Sequence, residues 1–120
     1  QNIQASVSNP FKLYAIKKGE TKTFAVDSSW NDIGIDYVHQ GGAVEAKWKS
    51  SLFDFLMDPD VTLYMTIYHS PNNGSTWNRM YPEKAFHPWD SPSMLIVLNG
   101  RWRFHVQCVA GLSAFTLSVK

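Results

Sequence analysis

The sequence predicts an all-β fold: an antiparallel β-sandwich, jelly-roll-like or immunoglobulin-like, of about eight strands. Three observations carry this. Apolar residues recur mainly with a period of two, the mark of strands with one buried face. Turn signals return about every eight to twelve residues. Aromatic residues make up 14% of the chain, a share that suits pleated, half-buried surfaces. No segment carries the period of an amphipathic helix, and no internal repeat or low-complexity stretch is present.

The first clear strand is Thr23-Phe24-Ala25-Val26, opened by Gly19-Glu20. Ile33-Gly34-Ile35-Asp36-Tyr37-Val38-His39 alternates until Gly41-Gly42 breaks it. Ala43-Val44-Glu45-Ala46-Lys47-Trp48-Lys49 places Val44, Ala46 and Trp48 on one face and its charges on the other, a half-buried strand. Residues 61–69 are apolar on both faces, which predicts a central strand covered twice. Met94-Leu95-Ile96-Val97-Leu98 ends at Asn99-Gly100, a pair favoured in type I′ turns because both residues tolerate positive φ. Residues 101–109 then pair back as a hairpin, with Arg101, Arg103, His105 and Gln107 facing away from the core. Phe115, Leu117 and Val119 belong to the last strand.

Two stretches resist this pattern. Residues 50–58 read either as one helical turn or as an apolar loop closing an end of the core. Residues 81–92 contain Pro82, Pro88 and Pro92, which cannot donate ladder hydrogen bonds, so a long loop is expected.

Bulk properties narrow the role. With 120 residues, 44% apolar and 18% charged, residues 1–120 read as one folded domain with room for a core. A net charge of +1 gives no electrostatic footprint for nucleic acid or an anionic membrane. No run reaches the ~18 apolar residues of a membrane span, and no signal-peptide pattern is present. The start at Gln1 rather than Met is compatible with upstream processing, by export or by another protease. Cys108 is the sole cysteine, so no intrachain disulfide or cysteine-based zinc site is possible; it shares a face with Trp102, Phe104 and Val106 and reads as a buried thiol.

No catalytic constellation emerges. The histidines at 39, 69, 87 and 105 lie in different elements without metal-ligand spacing, so no metal and no cofactor is expected. Asp54, Asp58 and Asp60 are interrupted by Pro59 and lack the glycine and closing glutamate of an EF-hand. Asp27-Ser28-Ser29 has no nucleophile elbow around it. A non-enzymatic role is the expectation. Asn73-Gly74-Ser75 matches an N-glycosylation pattern, which has meaning only in a secreted eukaryotic setting.

Aromatic residues give the positive lead. Trp48 and Trp102 lie on apolar faces and read as core. Trp30, Trp77 and Trp89 lie at turns or in the proline-rich stretch, where a tryptophan can cap the sandwich, anchor a protein interface or stack on a sugar. The candidate contact residues are therefore Trp30, Trp77, Asn78, Arg79, Tyr81, His87 and Trp89.

The stretch "VTLYMTIYHSPNNGSTWNRMY" resembles the strand, turn and tryptophan of small phage virion β-sandwich proteins, and "NGRWRFHVQCVAGLSAFTLSVK" is similar to their usual ending. The resemblance covers residues 61–120. It implies a structural or accessory virion protein that packs against copies of itself and other capsid or tail proteins. In that setting Asn73-Gly74 supplies a positive-φ corner, and Trp77 packs or caps. Two further expectations stand beside it. A secreted sugar-binding module would stack glycan on Trp89, Trp30 and Tyr81, with Asn78, Arg79 and Asp90 as polar rim. A filament subunit would insert a strand around Ile3, Ala5 and Val7 into a neighbour's sheet edge.

Overall fold

A computed structural model describes residues 12–27, 32–52, 62–109 and 112–120. Among these residues there are nine strands and no helix: β1 (Lys12–Ala15), β2 (Thr21–Asp27), β3 (Ile33–His39), β4 (Val44–Leu52), β5 (Leu63–Ser70), β6 (Asn78–Phe86), β7 (Ser93–Ile96), β8 (Gly100–Cys108) and β9 (Leu112–Val119). They form a five-stranded sheet, order β1-β3-β8-β5-β6, and a four-stranded sheet, order β2-β9-β4-β7. Every pairing is antiparallel except β1 with β3, which is parallel. The expected β-sandwich is the observed fold.

Alternation builds the core between the sheets. Ile33, Ile35, Tyr37 and His39 on β3, and Trp102, Phe104, Val106 and Cys108 on β8, point inward from the larger sheet. Val44, Ala46 and Trp48 on β4 and Phe115, Leu117 and Val119 on β9 meet them from the smaller one. Trp48 and Trp102 are core residues and Cys108 is buried, as their faces predicted. Trp48 stands edge-on to Tyr81 at 5.4 Å between ring centres, an arrangement that adds attraction beyond the buried area.

Three local expectations are corrected. The Asn99-Gly100 pair does not close a hairpin, because β7 lies in the four-stranded sheet and β8 in the five-stranded one. Of the two residues only Gly100 takes positive φ, at 128°, so the two consecutive positive φ values of a type I′ turn are missing. The corner is instead tied from several sides. Gly41 N–H donates to Asn99 Oδ1 at 2.6 Å, His69 Nε2 lies 2.8 Å from the Asn99 carbonyl, and the Trp102 indole donates to the Leu98 carbonyl at 3.0 Å. A Cβ at residue 100 would strike the Ser70 carbonyl and approach His69 Nε2 to 2.9 Å, so glycine is required there.

The second correction concerns residues 81–92, expected as a loop. Their first part, through Phe86, belongs to β6. Pro82 is accommodated because β6 is an edge strand whose register against β5 slips twice, between Met65 and Ile67 and between Ile67 and Tyr68. Edges and bulges are where a strand tolerates proline. The third concerns β5, expected to be covered on both faces. Leu63, Met65 and Ile67 are fully buried; on the other face Thr66 is buried as well, but Tyr64 and Tyr68 beside it are only half-buried.

Residues 50–52, read as the start of a turn or loop, continue β4. Trp30, the Ile3, Ala5 and Val7 segment, and Asp54, Asp58 and Asp60 lie outside the described residues.

Candidate functional site

The outer face of the five-stranded sheet gathers the polar and aromatic groups that the core excludes. Alternation sends Asp36 outward from β3, Arg101, Arg103, His105 and Gln107 outward from β8, and Tyr64, Thr66 and Tyr68 outward from β5. Register then sets them side by side. Arg103 lies opposite Asp36 on one flank and Tyr68 on the other, and Tyr68 lies opposite Arg79. One row across four strands therefore reads Asp36, Arg103, Tyr68, Arg79.

Arg103 is the centre of this row. Its Nε donates to Asp36 Oδ1 at 2.8 Å and its Nη2 to Asp36 Oδ2 at 3.0 Å, a bidentate pair. The guanidinium also lies under the Trp77 ring, 4.7 Å from its centroid. Carboxylate and indole together hold one orientation of a side chain that otherwise has many rotamers. Arg101 is held less firmly: its Nη1 reaches Asp36 Oδ2 at 3.4 Å, and its buried Nε has no partner among the described residues. At the next rung His105 Nε2 lies 2.8 Å from Asp32 Oδ2.

The loop from Ser70 to Trp77 explains how the indole reaches Arg103. Asn72 Oδ1 accepts from Thr76 N–H at 2.9 Å and from the Ser70 hydroxyl at 2.9 Å, and Gly74 N–H donates to Ser70 Oγ at 2.7 Å. Asn73 and Gly74 turn the chain at φ 58° and 98°, the positive-φ corner the sequence predicted. A side-chain-laced corner of this kind delivers Trp77 onto the sheet instead of leaving it in solvent. Trp77 is half-buried there.

The sequence-derived contact residues that the structure describes fall in four places. Trp77 and Arg79 join the outer face just described. Asn78 begins β6 opposite His69 and is exposed. Tyr81 turns inward onto Trp48, and burial raises its phenol above the usual range. His87 and Trp89 form a separate cluster in the β6–β7 connection. Their rings stack in parallel, 4.6 Å between centres, and Asp90 Oδ2 accepts from His87 N–H at 2.9 Å. Trp77 and His87 flank opposite ends of β6, roughly 30 Å apart at strand rise. The six candidates among the described residues are thus not one surface.

Sequence reasoning missed Asp36, Tyr64, Tyr68 and the Arg101–Arg103 pair as site residues. Two signals were present: the lone charge inside the apolar run of β3, and the excess of aromatic residues on the polar side of β5. Their convergence needed the order β3-β8-β5, which alternation alone does not give. Among the described residues no three histidine, cysteine or carboxylate side chains meet in a way that could hold a metal ion.

No protein-family model matches the chain, and no curated protein matches it. Solved structures are similar in backbone. The pre-peptidase C-terminal domain of collagenase from Bacillus anthracis superposes with a TM-score of 0.58 at 12% identity, covering 93% of this chain and 98% of that one. The Yersinia pseudotuberculosis-derived mitogen gives 0.55 at 10% identity, over 84% of this chain and 83% of that one. CorA, a surface-associated copper-binding protein of Methylomicrobium album BG8, gives 0.53 at 5% identity, over 92% and 98%. At these identities the likeness is one of fold.

Proposed function

We propose that this chain is a non-enzymatic docking domain that presents the outer face of its five-stranded sheet to a protein partner. The supporting observation is the make-up of that face. Trp77, Tyr64, Tyr68, Arg79, Arg101 and Arg103 are the residue types that dominate interface hot spots, and the central guanidinium is pre-oriented by Asp36. A pre-oriented side chain loses little rotamer entropy on binding, so more of its contact energy appears as affinity. An accessory structural subunit of a phage particle, packed against copies of itself and other particle proteins, is the setting the sequence resemblance implies. That setting rests on the resemblance alone.

A photo-crosslinking side chain at position 79, on the proposed face, tests the reading against the same group at position 116, on the opposite outer face. Cross-links in the native host should join position 79 to one defined protein, and Tyr68→Ala should abolish them. Equal labelling from both positions would refute a dedicated face.

A second reading has its own observation. Trp89 is 65% exposed and stacks on His87 through one ring face, which leaves the other free for a sugar ring. Glycan-array binding lost on Trp89→Ala and kept in Tyr68→Ala would favour the sugar-binding module over protein docking.

A further inference from the structure

Among the described residues the two sheets end in four edge strands, β1, β6, β2 and β7, and these are not protected alike. An open edge presents unpaired N–H and C=O groups to any extended chain, and natural proteins blunt it with charge, proline or bulges. β6 carries Pro82, Glu83 and Lys84 and two register shifts. β1 opens with Lys12, and Lys22 of β2 donates to the Ala15 carbonyl of β1 at 3.0 Å, which laces these two edges together. β7 is short, at four residues, and follows Pro92, but it carries neither charge nor bulge. Its register with β4 is unbroken from Ser93 to Ile96, and residues 91–100, SPSMLIVLNG, contain no charged side chain.

Leu95 of β7 and the two residues that follow the strand are also exposed and apolar. Leu95 is 65% exposed, Val97 54% and Leu98 46%, while Ile96 points into the core. We infer that β7 is a self-pairing edge: two copies of this chain join β7 to β7, antiparallel about a two-fold axis, so that their four-stranded sheets run on as one. A two-fold axis sets a strand against itself, so an edge can serve only if self-apposition opposes no like charges. β7 meets that condition. β6, with Arg79, Glu83 and Lys84, and β2, with Lys22, carry charges that self-pairing would bring close together.

Leu95 and Val97 of each copy would then cover those of the other beside the new ladder. The apolar surface that Leu95 and Val97 can lose is far below the ~800 Å² per partner of a standard stable interface. The dimer is therefore weak and reversible. It is independent of whatever occupies the outer face of the five-stranded sheet.

Sedimentation equilibrium of the full chain tests this. A monomer–dimer equilibrium is expected, with Kd on the order of tens of micromolar. The double change Leu95→Lys with Val97→Lys should weaken it at least ~10-fold. Thr23→Lys with Thr116→Lys, on the same sheet but away from β7, should leave it unchanged. Amide exchange on the unmodified chain gives a second readout that no variant can confuse: protection of β7 should rise with protein concentration while that of β6 does not. A monomer up to about 500 μM, a dimer indifferent to the β7 changes, or one abolished by deleting residues 1–8 would each overturn the inference. The last result would assign the contact to an inserted N-terminal strand.

Discussion

The two outer faces of the sandwich are built by the same alternation and end up chemically opposite. On the four-stranded sheet the outward positions of β2, β4 and β9 include Thr21, Thr23, Ala25, Glu45, Lys47, Lys49, Ala114, Thr116 and Ser118, and β7 adds Ser93 and the exposed Leu95 at the edge. Their polar links are exposed ones: Thr23 and Thr116 hydroxyls 2.9 Å apart, and Lys47 with Glu45 at 3.7 Å, both well solvated. Links of that kind contribute little, because water and salt screen them. On the five-stranded sheet the Asp36 carboxylate is only 10% exposed and accepts from two guanidinium groups, one of them stacked under an indole. A soluble fold needs only the first kind of face. The second fixes side chains in place on a surface where fixing them does nothing for the core, which is why we assign it to docking.

Several measurements would break or sharpen this contrast. The largest expected effect is on partner binding. Trp77→Ala or Tyr68→Ala should cost about 2–4 kcal/mol, at least ~30-fold in Kd, as hot-spot truncations do. Lys47→Ala on the opposite face should not change Kd measurably, and equal losses from both faces would erase the distinction.

Next comes stability. Asp36→Ala leaves Arg103 half-buried without its carboxylate and should destabilise by about 1–3 kcal/mol, moderated by residual solvent at the guanidinium. Denaturant unfolding of this variant beside Lys47→Ala gives a direct comparison, since the latter should stay within ~0.5 kcal/mol of the parent.

A smaller effect concerns the interior between the faces. Burial raises the phenol pKa of Tyr37 and of Tyr81 above the ordinary 10.0. The neutral phenol is favoured in the fold, so this stabilisation is intact below pH 10.0 and is lost as pH climbs through the raised folded-state values. Alkaline unfolding followed by circular dichroism should therefore begin above that point, and Tyr81→Phe should move its onset upward. An onset unchanged in Tyr81→Phe would mean that this ring is not sequestered. The smallest effect is Thr116→Val, expected within ~0.5 kcal/mol of neutral because only an exposed hydroxyl pair is lost.

Much of this was legible before any coordinates. The inward sets on β3, β4, β8 and β9 were readable because a strand repeats every two residues whatever it pairs with. The Asn73-Gly74 corner was readable because few residues accept positive φ. The outer-face site was legible only in fragments. The Arg101, Arg103 and His105 alternation gave the outward direction, but Asp36 lies 67 residues from Arg103 in the chain. The apolar surplus on β5 was visible, yet it does not mark full burial on both faces: Tyr64 and Tyr68 stay half-exposed on the outer side. Pro82 misled because proline excludes a central strand and not an edge strand with slipped register.

The amino-acid order was enough for the β-sandwich, for the inward side chains of β3, β4, β8 and β9, and for the sharp corner at Asn73-Gly74. Those are local properties, set by alternation and by the φ preferences of glycine and asparagine. Only the packed fold decided that the Asn99-Gly100 corner passes between sheets, that Tyr81 points into the core while Trp77 lies over Arg103, and that the uncharged β7 stands at a sheet edge. Each of these depends on which strands become neighbours, a choice made by the packing of the whole core.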